Sequence, residues 1–317
     1  MKEASDISNV VITGARGTLG RKLMSYLAKE GTFRRLVGLV HRKPDAAYLD
    51  RLLHLASENR VADQPPEVRL QQCDLRDWND QRWRGAIEQA DAVAHFAWQN
   101  VWPDAPWSDV FASFDILLHT VLAAVQEGQV RRFAFASSNH AMGGYKDSPL
   151  ADNIGPGELS TDLPPAPGIV WYNGRETINS VRYGTAKVMG ERLCRAVASE
   201  LEGQATFVCV RIGWCQHGEN IPQRLSISFD QDRALEEEGD PSTWSPDLRW
   251  FKEMWLSDRD FAQLFERALL ADGSAWPNGF IIVNGMSNNA GMKWSLEEAK
   301  KWLGYEPQDD VYAAYRS

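Results

Sequence analysis

The first predicted element of the chain lies in Asn9-Val-Val-Ile-Thr-Gly-Ala-Arg-Gly-Thr-Leu-Gly20. Its apolar run predicts a short buried strand, and the glycines after it predict a tight turn into a helix. Gly14 permits the turn, Gly17 lets the backbone approach a phosphate, and Gly20 lets the helix pack closely against the strand. Because free N–H groups and the helix dipole attract anions at a helix N-terminus, this stretch predicts a pyrophosphate site for a dinucleotide.

The rest of the chain alternates between short apolar strands and helical segments. The helix after the glycine loop is expected to run through Leu19, Leu23 and Leu27 and to end at Gly31. Further strands are predicted at Arg35–His41, Val68–Asp74, Ala92–Ala97, Arg132–Ser137 and Thr206–Arg211, and helices at Trp107–Glu127 and Tyr183–Leu201. This alternation predicts an α/β fold with a doubly wound parallel sheet.

Composition narrows the class of protein. With 317 residues, a formal net charge of -9 and no basic stripe, the chain is not expected to bind nucleic acid. Its four cysteines show no Cys-x-x-Cys spacing, so we expect neither disulfides nor a metal site, and we expect a cytoplasmic location. The polar first residues argue against a secretory signal, and no apolar run reaches the roughly 18 residues of a membrane span.

The end of the second predicted strand bears on which dinucleotide binds. NAD-binding folds normally place an acidic residue there for the ribose hydroxyls, but the first acid after this strand is Asp45. Arg16, Arg42 and Lys43 instead offer cations that suit the 2′-phosphate of NADP. We therefore favour NADP over NAD; the alternative is that residues 41–43 form a solvated loop.

Two other strand ends are expected to border the dinucleotide. Asp74, followed by Leu75, ends the third predicted strand, where a carboxylate can accept a hydrogen bond from the adenine amino group. An ordinary helix cap is the alternative for Asp74. Ala97 ends the fourth strand and leaves room for the cofactor, whereas His95 is expected to be a buried, hydrogen-bonded core residue.

Tyr183 and Lys187 form the second informative pattern. Positions i and i+4 lie on one face of a helix, so the spacing places the lysine beside the tyrosine. A free tyrosine has a pKa near 10, and an adjacent ammonium favours the phenolate, which makes the tyrosine a usable base. Ser138, at the end of the fifth strand, can hold the reacting hydroxyl. These three residues predict proton transfer coupled to hydride transfer, with Lys187 also donating to the nicotinamide ribose.

Two long segments rich in proline, glycine and aspartate, 143–182 and 215–250, follow predicted strand ends. Loops of this length are usually functional or disordered, and doubly wound sheets bind ligands at the carboxyl ends of their strands. We therefore expect the segments to close over a substrate, with Trp171 and Trp214 stacking on a sugar ring and Trp98 facing the same site. The alternative for Trp214 is packing between the lobe and the sheet.

With these residues in place, the chain resembles the extended short-chain dehydrogenase/reductases, the NAD-dependent epimerase/dehydratase family, over essentially its whole length. The resemblance rests on Thr13–Gly20, Asp74-Leu75, Ser137-Ser138, Tyr183–Lys187 and Arg211-Ile-Gly213. It implies a Rossmann domain over residues 1–213 and a small substrate lobe over 214–317, some segments of which return to the Rossmann domain. It also implies a homodimer and adds to the cofactor contacts Thr18, Leu19 and Ile212.

A narrower likeness is to uronate dehydrogenases, which oxidise the anomeric carbon of a uronic acid to a lactone. It is carried by Phe135-Ala-Ser-Ser-Asn-His140, Arg211-Ile-Gly-Trp-Cys215, Trp255-Leu-Ser-Asp-Arg-Asp-Phe261 and Val283-Asn-Gly-Met-Ser-Asn-Asn289. This likeness implies substrate contacts at Asn100, Ser138, Asn139 and His140. The sequence departs from these enzymes at Trp214, where a small residue is usual. It also lacks a secure counterpart of their carboxylate-binding arginine, for which the candidates are Arg224 and Arg249.

The expected function is NAD(P)-dependent oxidation of a hydroxyl, favoured at the anomeric carbon, of a sugar or sugar acid. Two alternatives stay open. One is a nucleotide-sugar epimerase or dehydratase that retains NAD, and the other is a binding protein that has kept the dinucleotide fold. Ser138, Tyr183 and Lys187 weigh against a pure binding protein, which does not need them.

Overall fold

Seven parallel strands form the centre of the protein. They are β1 (Asn9–Thr13), β2 (Arg35–Val40), β3 (Glu67–Gln72), β4 (Ala92–His95), β5 (Arg132–Ser138), β8 (Thr206–Ile212) and β9 (Phe280–Gly285). In the computed structural model, which describes residues 7–58, 64–99, 105–126, 129–228 and 240–315, they stand in the order β3-β2-β1-β4-β5-β8-β9. A separate antiparallel pair consists of β6 (Val170–Tyr172) and β7 (Thr177–Asn179).

Helices cover both faces of this sheet. One face carries α1 (Thr18–Glu30), α2 (Ala46–Ser57), α7 (Asp258–Leu270) and α8 (Glu297–Leu303). The other carries α3 (Gln81–Glu88), α4 (Trp107–Gln126) and α5 (Val181–Glu200). Because successive strand residues point to opposite faces, Val10 and Ile12 pack in the first layer and Val11 in the second. The predicted doubly wound α/β fold is therefore confirmed.

The strand ends differ slightly from the predicted ones. β2 ends at Val40 rather than His41, and β4 ends at His95 rather than Ala97. The reason for the early end of β4 is local, because the backbone N–H of Ala97 donates to the Thr13 hydroxyl at 3.0 Å instead of continuing the sheet. His95 is buried and pairs through Nδ1 with the same hydroxyl at 3.1 Å. Thr13 thus holds the end of β4 beside the glycine loop.

A lobe adjoins the sheet and has a core of its own. It is built from segments that follow the carboxyl ends of β5, β8 and β9, and α6 (Pro246–Glu253) belongs to it. Its buried side chains include Met142, Trp171, Phe251 and Trp294, so it takes residues from both sides of position 213. β9 and α7 meanwhile return to the sheet and its first face. The domain boundary expected at residue 213 stays a prediction.

One helix among the described residues, α4, is long and apolar enough to cross a membrane by length and composition alone. A core helix can pass the same test. The inner side of α4, with Leu117 and Val121, packs in the second layer together with Trp83 of α3 and Cys194 of α5. One side of α4 thus belongs to the core of the second face, while Trp107 and Phe111 on its first turns are exposed.

Candidate active site

The glycine loop connects β1 to α1 through a close backbone approach. Gly14 has a φ of +67°, and a Cβ there would lie 2.8–2.9 Å from the backbone of Phe96 and Ala97. The Gly17 N–H donates to the Gly14 carbonyl at 2.8 Å, and α1 begins at the next residue. Among the described residues, no side chain caps this helix at Gly17. The first N–H groups of α1 are therefore available to an anion, and the loop fits a dinucleotide pyrophosphate.

The other predicted cofactor contacts lie around this loop. Thr18 is the first residue of α1, and Leu19 packs against the core of the first face. Ala97 is fixed by its bond to Thr13, as described above, whereas Leu75 is buried in the core of the second face. The structure places Thr18, Leu19 and Ala97 beside the glycine loop, and their contact with a cofactor stays a prediction.

An ion pair occupies the ends of β2 and β3. Asp74 binds the Arg76 guanidinium through two hydrogen bonds, of 2.9 Å from Nε and 2.7 Å from Nη2. These bonds lower the pKa of Asp74 to about 2. Arg76 Nη2 also lies 3.4 Å from His41 Nε2. The cap suggested as an alternative for Asp74 is wrong, because Asp80 caps α3. A contact of Asp74 with adenine stays a prediction.

The cations expected to bind a 2′-phosphate lie at the same end of the sheet, where the carboxyl ends of β1 and β2 meet. Arg42 and Lys43 are exposed, and Arg16 Nη1 donates to the Lys43 carbonyl at 3.4 Å. Asp45, the first acid after β2, caps α2 by accepting from the Ala47 N–H at 3.1 Å. Residues 41–44 contain no acidic side chain. The Asp74 carboxylate, which lies 3.9 Å from His41 Nε2, is partly neutralised by Arg76.

Ser138, Tyr183 and Lys187 come together where β5 meets α5. The Ser138 hydroxyl lies close enough to Tyr183 to lower the pKa of that phenol, and Ser138 Oγ accepts from the His140 N–H at 3.2 Å. Lys187 is buried, and its Nζ donates to the Ala136 carbonyl of β5 at 2.8 Å. The same Nζ lies 5.6 Å from the centre of the Tyr183 ring. The structure therefore brings the three predicted catalytic residues into one site.

Burial controls the protonation of this site. It raises the pKa of Tyr183, and the nearby Ser138 hydroxyl opposes this shift. The direction is opposite to the one expected from the sequence, because desolvation disfavours the phenolate more than its partner stabilises it. Burial also lowers the pKa of Lys187 to about 7, against a raising effect of Glu191. The charge of the lysine is therefore sensitive to its neighbours at neutral pH.

Asn139 and His140 fasten the site to the surrounding backbone. Asn139 Nδ2 donates to the Ile212 carbonyl at the end of β8 at 2.9 Å. His140 Nδ1 pairs with the Ser180 hydroxyl at 2.6 Å, and its ring meets the Tyr183 ring edge-on with centroids 5.3 Å apart. Burial lowers the pKa of His140 to about 3, so the ring is neutral. Substrate contacts of Asn139 and His140, and the cofactor contact of Ile212, stay predictions.

The expected aromatic contacts divide into three groups. Trp98 faces the site, because Lys187 Nζ lies 3.7 Å from the centre of its ring. Trp171 is 2% exposed and donates to the Ile227 carbonyl at 3.1 Å, so the expectation that it stacks on a ligand is wrong. Trp214 is half-buried and meets Phe251 edge-on at 5.2 Å, and its substrate contact stays a prediction. Asn100 lies outside the described residues.

The two arginines suggested for a substrate carboxylate are engaged within the lobe. Arg249 donates to Tyr312 Oη at 3.2 Å and to the Pro241 carbonyl at 2.8 Å. Arg224 Nε lies 3.5 Å from Glu219 Oε2. These contacts lend no support to a carboxylate-binding role for either guanidinium.

Glu191 was missed by the reasoning from sequence. Its Oε1 accepts from the Ser137 hydroxyl at 2.7 Å and from Arg211 Nε at 2.9 Å, and its Oε2 accepts from Arg211 Nη2 at 2.9 Å. A signal was present, because Tyr183, Lys187 and Glu191 recur every four residues along one face of α5.

Comparisons with known proteins place these features in a family. A profile of the NAD dependent epimerase/dehydratase family matches residues 10–213. An NAD-dependent glucose-6-phosphate dehydrogenase of Haloferax volcanii is 28% identical over 304 residues, which cover 95% of this chain and 93% of that protein. A uronate dehydrogenase of Pseudomonas syringae pv. tomato is 27% identical over 303 residues, covering 95% and 82%.

The solved structures show the same fold. A mutated uronate dehydrogenase has a TM-score of 0.61 at 22% identity and covers 98% of this chain and 84% of its own.

The family match spans more than half of the sequence and includes the glycine loop, Ser138, Tyr183 and Lys187. The predicted resemblance is thus confirmed, and the chain belongs to the NAD dependent epimerase/dehydratase family of extended short-chain dehydrogenase/reductases.

Proposed function

We propose that this protein is an NAD(P)-dependent dehydrogenase that oxidises the anomeric hydroxyl of a sugar or sugar acid. The observation that carries the proposal is the convergence of Ser138, Tyr183 and Lys187 beside β5, two strands from the glycine loop of β1. Relatives with 26–28% identity are named glucose-6-phosphate, L-arabinose 1- and uronate dehydrogenases. Their names share the oxidation of a sugar but not one particular sugar.

In this proposal Tyr183 accepts the proton of the sugar hydroxyl. Ser138 forms a hydrogen bond to the same oxygen and holds it next to the phenol. Lys187 in its ammonium form favours the phenolate and donates to the ribose of the dinucleotide. A bound nicotinamide would supply the acceptor for the hydride that leaves the carbon. The substrate thus loses one hydride and one proton and gains a C=O bond, which makes a lactone at the anomeric carbon of a ring.

We further propose that NADP is preferred to NAD. Arg42 and Lys43 follow the end of β2, where the ribose of a dinucleotide is expected, and Arg16 Nη1 lies 3.4 Å from the Lys43 carbonyl. Arg76 pairs with Asp74, which reduces the repulsion between that carboxylate and a phosphate. A 2′-phosphate would therefore meet more positive than negative charge.

The direct test follows absorbance in the band of reduced nicotinamide. Purified protein is supplied with NAD or NADP and with glucose 6-phosphate, L-arabinose, glucuronate and related sugars. A rise that depends on the sugar supports the dehydrogenase. Conversion of a nucleotide sugar with no net reduced cofactor would instead identify an epimerase or dehydratase. Tight dinucleotide binding with no conversion in the whole panel would identify a binding protein.

Trp214 is proposed as a wall of the sugar site. It lies between Phe251 and the cluster that contains Trp255 and Leu225. Trp214→Ala is expected to raise KM for the sugar several-fold and to leave dinucleotide affinity unchanged, because the indole packs on Phe251 in the lobe. A structure with bound sugar in which Trp214 lies more than about 6 Å from every ring atom, beyond stacking range, would contradict this role.

We also propose a homodimer formed through α4. Two aromatic side chains on its first turns are exposed, Trp107 by 43% and Phe111 by 50%, and Val181 at the start of α5 is exposed by 39%. Such an apolar surface favours association with a second copy. Light scattering on the eluting protein should give twice the chain mass, and Phe111→Glu should yield a monomer.

A cytoplasmic location is the last part of the proposal. Its support is that the four cysteines are free thiols, three of them buried, which suits a reducing compartment. Fractionation of cells that express the tagged protein should recover it with cytoplasmic markers, and recovery in a secreted fraction would contradict the proposal.

A further inference from the structure

A buried ion pair lies behind the proposed catalytic residues and takes no part in the proton transfer. The side chains of Glu191 and Arg211 are 2% and 1% exposed, and they form a two-pronged pair with both distances at 2.9 Å. Burying two charges is costly, and replacing such a pair by apolar residues is often neutral or stabilising. The pair therefore calls for a role other than stability.

The position of the pair suggests that role. Ser137, which donates to Glu191 at 2.7 Å, immediately precedes Ser138 on β5. Arg211 is the partner of Ser137 in the register of β5 and β8. Glu191 lies one helical turn beyond Lys187 on α5. One carboxylate thus connects the strand that carries the serine with the helix that carries the tyrosine and the lysine.

The surroundings of Lys187 leave Glu191 as its anionic neighbour among the described residues. The lysine donates to the Ala136 carbonyl and lies over the Trp98 ring, and both are uncharged. His95 from β4 and His140 are neutral, because burial lowers the pKa of each to about 3.

Two groups remain near the ammonium. Cys209 from β8 is a neutral thiol, because burial raises its pKa well above the ordinary value. Tyr183 on α5 is a neutral phenol, because burial raises its pKa as well. Glu191 is the group that most strongly opposes the loss of the proton from the buried lysine.

We propose that Glu191 is a positioning residue that keeps Lys187 in its ammonium form and fixes α5 against the end of β5 through Ser137 and Arg211. It acts through Lys187 and Ser138 and touches neither substrate nor cofactor. The inference rests on the proposed function in one respect, since it requires a dinucleotide that Lys187 meets as a cation.

The test measures dinucleotide affinity against pH, without turnover. Binding of NADP and NAD to the wild-type protein is titrated from pH 5.5 to 9, and affinity should fall as Lys187 loses its proton. In Glu191→Gln the lysine should lose its proton at lower pH, so the midpoint of this fall should move down by about one pH unit. Glu191→Asp keeps the charge at a shorter reach, and its midpoint should stay within a few tenths of wild type.

Two results would overturn the proposal. One is a loss of affinity in Glu191→Gln that is equal at every pH, which indicates a structural role only. The other is an equal midpoint shift in the glutamine and aspartate variants, which shows that the charge is not what matters.

A second variant serves as the control in case Glu191→Gln does not fold. Glu191→Gln leaves Arg211 buried without its counter-charge, which can prevent folding. If it does, the double variant Glu191→Met with Arg211→Met removes both charges together. A downward shift of the midpoint is expected again, but a smaller one, because the positive charge of Arg211 is removed together with the negative charge of Glu191. A wild-type midpoint in a folded double variant would contradict the role of Glu191.

Failure of the proposed function would look different. If the wild-type protein binds neither dinucleotide, the proposed function itself is wrong. If the wild-type protein binds one of them, and the folded variants have the same pH midpoint as wild type, only the role of Glu191 is wrong. The proposed function is then not contradicted.

Discussion

The same kind of ion pair occurs at the two ends of the expected dinucleotide site, in opposite surroundings. Arg211 and Glu191 lie behind the catalytic residues with side chains 1% and 2% exposed. Arg76 and Asp74 both follow β3, beside His41 at the end of β2, with side chains 50% and 36% exposed. Buried charges need their partners, whereas solvent screens exposed ones. We call the end with Arg211 and Glu191 the catalytic end, and the end with Arg76 and Asp74 the adenosine end. Function at the catalytic end therefore depends on geometry, and function at the adenosine end depends on a balance of charge.

The hydrogen bonds around the two ends differ in the same way. At the catalytic end, Asn139 and Lys187 donate to backbone carbonyls of β8 and β5, so the sheet itself fixes them. At the adenosine end, Arg42 and Lys43 extend into solvent from a short loop. We expect substitutions at the first end to change the rate and substitutions at the second to change the choice of cofactor.

Tyr183→Phe is expected to have the largest effect. It removes the group proposed to accept the proton, so kcat should fall by about 10²-fold or more, within the range typical of general acid–base catalysis. Dinucleotide affinity should stay nearly unchanged, because the ring and its contact with His140 remain. Steady-state kinetics and a binding titration measure the two quantities. Wild-type turnover in the variant would remove Tyr183 from the proposed mechanism.

Gly184→Ala should be next in size. A Cβ at Gly184 would lie 2.4 Å from the His140 carbonyl oxygen, so α5 must move away from the residue that follows Asn139. A displacement of about 1 Å in a catalytic group can reduce the rate by about 10²-fold. We therefore expect kcat to fall by 10- to 100-fold, on the order of that displacement effect, with the protein still folded by circular dichroism.

Gly85→Ala is the matched control. This glycine lies inside α3, and a Cβ there would meet nothing within 4 Å. Alanine should leave kcat unchanged and stabilise the protein by about 0.4–1 kcal/mol, since it restricts the unfolded chain. If the two glycine variants lose activity equally, the close approach of Gly184 to His140 is not what sets the rate.

Arg42→Ala tests the adenosine end. We expect NADP binding to weaken by about 1 kcal/mol, a value reduced by solvent screening, and NAD binding to change little. The difference should shrink as salt is raised, because exposed charges are screened. Arg69→Ala, an exposed arginine of β3 paired with Glu67, is the control and should change neither affinity. If Arg42→Ala binds NADP and NAD each with the affinity of the wild-type protein, the preference for NADP loses this support.

Arg76→Ala should have the smallest effect. Without Arg76, the Asp74 carboxylate presents its charge to the ribose, so the ratio of NADP to NAD affinity should fall a few-fold, on the scale of an exposed pair. Competition between the two dinucleotides measures the ratio. A rise in the ratio would show that Arg76 does not shield Asp74.

Much of the fold followed from patterns in the sequence. The apolar strand before Gly14 and the alternation after it predicted the parallel sheet, because each pattern is local. The spacing of Tyr183 and Lys187 predicted one helix face for the same reason. The two-stranded pair β6–β7 and helix α6 were not predicted, since they lie in segments whose proline and glycine content signals only irregular structure.

The sequence alone determined six of the seven parallel strands, the loop at Gly14 and the shared helix face of Tyr183 and Lys187, because these depend on neighbours in the chain. Only the tertiary structure decided that Glu191 pairs with Arg211, that Asp74 is held by Arg76, and that Trp171 is core. It also decided that the pKa of Tyr183 is raised. Burial and pairing are properties of the packed molecule, in which residues distant in the chain exclude water from one another.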